Sequence, residues 1–281
     1  MPKLRMKMDV GFTEMHVQDS EKNLSFPMLL MHPNEFVGKS HRLVMLSHGS
    51  GGSPLAYRYL AEFLADKGYF VGVPEHPGNN RHDNSLEGTL ANLVDRPRHL
   101  RLATDAILND ERWRESLDQN NISLIGHSMG GYTSLALAGG IPHTEHQMKY
   151  DPDHKIEKSE VVPVLADARV RALVLFTPAT GWYLSEGALA AVKVPMLVLS
   201  AEHDDITPAF HAEIILKGVP DKSVVTHREV KNAGHYSFLD VFPESVRKMG
   251  LPAAMDPVGF DREAFHDELN TEVFEFLETH R

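Results

Sequence analysis

The chain has 281 residues, 42% of them hydrophobic, and a net charge of −11. That length suits one α/β domain carrying an excursion, with enough apolar side chains for a sizeable core. The acidic balance argues against nucleic acid and anionic membrane surfaces as partners; the absence of cysteine excludes disulfides, thiolate metal sites and a cysteine nucleophile.

In chain order, residues 1–9 lack the apolar stretch of a secretory signal, and no run reaches the roughly 18 apolar residues of a membrane helix. A soluble cytoplasmic protein is therefore expected. Residues 12–17 and 26–31 alternate in the manner of strands and predict an opening hairpin at a sheet edge. Residues 42–47 form the next strand. Residues 54–67 predict an amphipathic helix with Leu60, Phe63 and Leu64 on one face and Gly68 as its stop. A strand follows at 69–73. Pro97 suits the first position of a helix running to about Asn109. Residues 122–126, 170–176 and 196–200 read as central strands, 223–230 as a further alternating strand, and 260–280 as a terminal amphipathic helix. Strands alternating with helices predict a mostly parallel central sheet covered on both faces. Residues 1–281 then form a single domain, and residues 140–168, polar and without periodicity, form an excursion that could serve as part of a lid. His143, His146 and His154 in that excursion have metal-binding side chains, but a solvated excursion accounts for them better, and no metal or cofactor is expected.

The most informative stretch is 122–131, Ile-Ser-Leu-Ile-Gly-His-Ser-Met-Gly-Gly. A strand drives into Gly126-x-Ser128-x-Gly130 and then into a helix that Gly139 and Gly140 end. This is the sequence form of a nucleophile elbow, in which small residues two positions either side of the serine relieve crowding. A serine needs a base, and the base needs an orienting acid, in the chain order serine, acid, histidine. Asp204 lies just past the strand at 196–200 and is preferred to Glu202 and Asp205. His235, in a loop after the last strand, is selected from 17 histidines by position, ahead of His203 and His227. Upstream, His48-Gly-Ser-Gly-Gly52 follows a strand, and its glycines allow backbone amides to approach a developing negative charge. The amides of Ser50 and Met129 are the expected oxyanion donors. No Lys-Ser/Thr pair follows this loop, which argues against a phosphate site.

With these four features in order, the chain resembles the serine α/β-hydrolase superfamily. More narrowly it resembles its dienelactone-hydrolase-like branch, which includes esterases of the platelet-activating-factor-acetylhydrolase type. The narrower likeness is carried by residues 47–52, 60–68, 71–78, Arg96-Pro97 and 126–131, and extends over roughly residues 10–280. It implies an α/β-hydrolase fold with Ser128 as nucleophile, His235 as base, Asp204 as acid, and Ser50 and Met129 as oxyanion donors. Dienelactone hydrolases proper use a cysteine nucleophile, which this chain lacks, so dienelactone itself is not the expected substrate. The expected activity is hydrolysis of a small-molecule carboxylic ester or lactone through an acyl-enzyme. Acyl transfer or amide hydrolysis by the same triad is the alternative, followed by a ligand-binding module without hydrolysis. Ligands in such sheets bind beyond the C-terminal strand ends, where Trp182, Tyr183, His76 and Tyr236 are the candidate substrate-binding residues.

Overall fold

The computed structural model describes residues 10–36, 40–148 and 159–280. Among these, eight strands form one sheet: β1 (Val10–Asp19), β2 (Leu24–Pro33), β3 (His41–Ser47), β4 (Phe70–Pro74), β5 (Leu117–His127), β6 (Val170–Phe176), β7 (Met196–His203) and β8 (Val225–Gly234). Their order across the sheet is β1-β2-β4-β3-β5-β6-β7-β8. β1 and β2 form the antiparallel edge hairpin, β2 joins β4 antiparallel, and every pairing from β4 to β8 is parallel.

The difference between edge and centre is written in the residue pattern. β1 alternates buried and exposed positions toward its C-terminal end, whereas β6 is buried at six of its seven positions. A parallel strand covered on both faces needs a continuous apolar run. Successive residues of β3 accordingly serve two cores. Leu43 and Met45 pack with Leu100, Ala103, Ile107 and Leu135 on one face, while Val44 and Leu46 pack with Leu60, Leu64, Leu269 and Val273 on the other. The first layer is built by α2 (Leu90–Leu108) and α3 (Met129–Leu137), the second by α1 (Arg58–Asp66) and by α7 (Arg262–Thr279), with three short helices, α4 (Glu145–Met148), α5 (Phe210–Gly218) and α6 (Glu244–Arg247), between them in the chain. No helix among the described residues is long and apolar enough to cross a membrane.

The helix expected to start at Pro97 begins seven residues earlier, and this is a correction. Thr89 caps it, its side chain accepting from the Asn92 amide, so that Pro97 lies inside α2. An interior proline removes the N–H that would bond the carbonyl four residues back. Here that carbonyl belongs to Leu93, and the hydroxyl of Tyr132 on α3 donates to it instead at 2.9 Å. A tertiary donor replaces the missing local one, and the helix runs on.

Parallel register brings the C-terminal strand ends to one edge. Ser47 pairs with Gly126, His127 with Phe176, Phe176 with Leu199, and His203 with Gly234. The loops that follow β3, β5, β6, β7 and β8 therefore open on the same side of the sheet.

Candidate active site

Ser128 sits between β5 and α3 with φ 54° and ψ −117°. A left-handed φ on a non-glycine residue costs on the order of 1–3 kcal/mol and persists only where its surroundings fix it. Here the Ser128 amide donates to Phe176 O at 3.0 Å, and its carbonyl accepts from the amides of Gly131 at 2.8 Å and Ala179 at 2.9 Å. The flanking glycines are required by contact. A Cβ on Gly126 would lie 2.3 Å from Gly130 O, and one on Gly130 would lie 1.8 Å from Ser47 O.

Asp204 and His235 meet at the ends of β7 and β8. His235 Nδ1 lies 2.8 Å from Asp204 Oδ2, with both side chains buried. Asp204 Oδ1 accepts from the amides of Ile206 and Thr207, each at 2.8 Å. Burial pushes the Asp204 carboxyl up, but the hydrogen bonds from His235 and Thr207 outweigh it and hold the group below its ordinary value. The acid thus stays ionised, which fixes the His235 proton on Nδ1 and leaves Nε2 as the basic nitrogen. The rejected candidates serve elsewhere: Glu202 accepts from the Asn232 amide at 2.8 Å, and His227 bonds Ser200 Oγ at 3.0 Å.

Sequence reasoning missed the part played by His127, the variable residue just before Ser128. Its Nε2 lies 3.0 Å from His235 O and its Nδ1 2.9 Å from Tyr57 Oη, while the Gly49 amide donates to that same Tyr57 oxygen at 3.4 Å. Taking Nε2 as the protonated nitrogen satisfies every member of this chain, and the His48–Gly52 loop is thereby coupled to the histidine loop. Burial draws the His127 pKa down to about 3, so the ring is neutral.

Gly49 is close enough to the serine that a Cβ on it would be 3.2 Å from Ser128 Cβ. The loop turns through a Gly52 N–H to Gly49 O bond of 3.1 Å, with Gly51 at φ 61°. Ser50, Ser128 and Met129 together line a cavity of about 280 Å³, with Trp182, Leu93 and His211 among its other walls. Met129 is the first residue of α3, so its amide has no partner within the helix. A larger cleft, about 690 Å³ and lined by Arg42, Asp66, Lys67, Tyr69 and Glu278 among others, opens at the N-terminal ends of β3 and β4, away from the serine.

Of the four candidate substrate residues, Trp182 alone reaches the cavity. Tyr183 is buried and donates its hydroxyl to Tyr132 O at 2.7 Å. His76 is wholly buried beneath the loop, its Nε2 2.9 Å from Ser47 Oγ. Tyr236 packs edge-on against the His235 ring at 5.1 Å. Tyr183 and His76 are corrections: a position just after a strand end does not say to which side the loop folds. His146 and His211 were not singled out as cavity residues, yet both border it. His211 Nδ1 accepts from the Thr180 amide at 3.0 Å, and burial draws its pKa down to about 4. His146, on α4, stands edge-on to Trp182 at 4.9 Å. The start of the 140–168 excursion thus borders the cavity, while residues 149–158, His154 included, lie outside the described residues. No group of three or more metal-ligating side chains occurs among the described residues.

Fold and elbow are those of the α/β-hydrolase fold, and the comparisons agree on that fold. Residues 42–144 match the family model described as alpha/beta hydrolase fold. It is similar to "Cutinase 2" of Thermobifida cellulosilytica, 24% identical over 211 residues, covering 74% of this chain and 64% of the relative. Over the same share of this chain it is 24% identical to "Cutinase cut1" of Thermobifida fusca, of which 53% is covered. It is 28% identical over 150 residues to "Bis(hydroxyethyl) terephthalate hydrolase" of Streptomyces coelicolor, covering 53% of this chain and 39% of that one. The chain therefore spans less than two thirds of the length of the relatives it matches. Among solved structures, "Pyrococcus horikoshii acylaminoacyl peptidase" superposes with a TM-score of 0.65 at 14% identity, over 98% of this chain and 42% of that one; this likeness concerns the fold.

Proposed function

We propose that this protein is a serine carboxylic-ester hydrolase acting on small-molecule esters. The observation that carries the reading is Ser128, held at φ 54° on the wall of a cavity, in a fold whose adjoining strand ends carry the hydrogen-bonded Asp204–His235 pair. In this reading His235 Nε2 takes the Ser128 proton as Ser128 Oγ attacks the ester carbonyl. Asp204 keeps the imidazole in the required tautomer and stabilises the imidazolium that forms. The amides of Ser50 and Met129 donate to the oxyanion. His235 returns its proton to the departing alcohol, and a water molecule then releases the acid from Ser128 by the same steps. Similarity to proteins named as cutinases and as a terephthalate-ester hydrolase supports the ester as the bond cleaved.

A cavity of about 280 Å³ with Trp182, Leu93 and Met129 among its walls suits a short or flat acyl group. A panel of p-nitrophenyl esters from acetate to palmitate, run beside matched lactones and anilides, tests this. The expected optimum in kcat/KM lies at acyl chains of about two to six carbons, with anilides at least ~10²-fold slower. Turnover confined to anilides would overturn the ester assignment.

A further inference from the structure

A guanidinium lies buried under the loop that follows β3, and among the described residues no carboxylate accompanies it. Arg96, on α2, has 0% exposure. Its Nε donates to Thr133 Oγ1 at 3.2 Å, its Nη1 to Asn79 Oδ1 at 2.6 Å, and its Nη2 to Ser47 Oγ at 3.2 Å and to the carbonyl of His48. All four acceptors are neutral. Removing an unpaired cation from water costs several kcal/mol even after relaxation. The surroundings accommodate the charge: burial and the nearby guanidinium both push the His48 and His76 pKa values down, so that neither ring adds a second cation.

What the acceptors have in common is their place in the chain. Ser47 and His48 lead directly into Ser50. Asn79, whose Oδ1 takes Arg96, donates its Nδ2 to Ser50 Oγ at 2.8 Å, and Ser50 in turn donates to Glu87 Oε1 at 2.7 Å. Thr133 passes the contact the other way: its hydroxyl donates to Met129 O at 2.9 Å, one turn back along α3. One rigid, planar fork thus spans the two segments that carry the Ser50 and Met129 amides. A lysine, with a single point of charge on a flexible stem, cannot make this set of contacts at once.

We infer that Arg96 is a positioning residue for the oxyanion site: it fixes the Ser50-bearing loop against the Met129 end of α3, so that the two amides converge on one point. The inference rests on the proposed roles of Ser128, Ser50 and Met129. A group that acts this way matters when the carbonyl oxygen becomes negative, and little when substrate first binds.

The test compares the wild type with Arg96→Lys, Arg96→Met and the milder Asn79→Ala. The measurements are kcat and KM on p-nitrophenyl acetate, Ki for a trifluoromethyl ketone that forms an oxyanionic adduct, labelling of Ser128 by a fluorophosphonate, and Tm. The Arg96 variants are expected to lose ~10²–10³ in kcat, as when one oxyanion donor is removed, with KM within about threefold and Ki weakened in parallel with kcat. Asn79→Ala, which keeps the guanidinium buried, is expected to lose about tenfold in kcat with the same split, and it decides the matter if neither Arg96 variant folds. A lowered Tm with kcat and Ki unchanged in the folded variants would overturn the inference and leave the ester-hydrolase reading standing. Wild-type protein that hydrolyses the ester but is not labelled at Ser128 would overturn that reading and the inference with it.

Discussion

Thr207 donates its hydroxyl to Asp204 Oδ2 at 2.8 Å, the same carboxylate oxygen that lies 2.8 Å from His235 Nδ1. The carboxylate is thus held by two backbone amides on one oxygen and two side chains on the other, and it cannot rotate without breaking several bonds. Its task in the proposed mechanism is to keep the proton of His235 on Nδ1.

Asp204→Asn tests that task. An amide can present its NH₂ to Nδ1 and so favour the tautomer protonated on Nε2, which cannot accept the Ser128 proton. The expected result is a kcat lowered by roughly 10⁴ with KM little changed, measured on p-nitrophenyl acetate. A loss smaller than tenfold would mean that Asp204 does not orient the base.

The Tyr132 hydroxyl substitutes for the amide that Pro97 lacks, and this predicts a coupling. Tyr132→Phe leaves the Leu93 carbonyl unsatisfied within the core and is expected to cost about 1–3 kcal/mol in urea unfolding. Pro97→Ala restores an N–H within reach of the same carbonyl. The double variant should therefore be less destabilised than the sum of the two single changes, by about 1 kcal/mol. Additivity within about 0.3 kcal/mol would show that the two residues do not share this acceptor.

Acid should unfold the protein early, because several histidines are buried neutral. Burial draws His48 and His127 down to about 3, and His99 and His211 down to about 4. In the unfolded chain these rings take up protons near pH 6.5, whereas in the folded chain they do not until pH 4 or below. The unfolded state thus binds more protons throughout this window, so stability rises with pH across it and falls as acid is added. At pH 5 each such ring withdraws about 2 kcal/mol. A steep fall in Tm between pH 6.5 and 4.5 is expected in a scan at constant ionic strength. A flat Tm across that range would contradict the neutral burial of these rings.

Much of the site was legible because its constraints are local. Gly126 and Gly130 are demanded by backbone atoms within a few residues or on the adjoining strand, and a five-residue pattern records that demand. Asp204 and His235 could be located because parallel strands end at one edge, so that chain order and strand position suffice to select them. What escaped the sequence depends on tertiary contact. Pro97 reads as a helix start unless Tyr132 is known to lie above Leu93. His76 and Tyr183 read as cavity residues because they follow strand ends, but one loop folds under β3 and the other aims its hydroxyl at α3. His127 looks like a spacer, since nothing local reveals that its ring bonds the backbone of His235, 108 residues away. His211 enters the cavity wall only because the loop after Asp204 carries the start of α5 toward Thr180.

The central claim is that Ser128 is the nucleophile of an ester hydrolase. Its most direct test is reaction with a fluorophosphonate probe, followed by peptide mass mapping and by assay of Ser128→Ala on p-nitrophenyl acetate. Covalent labelling confined to Ser128, with loss of wild-type activity, and a fall in turnover of roughly 10⁴–10⁶ in the variant are expected. Near-wild-type activity in folded Ser128→Ala would contradict the account.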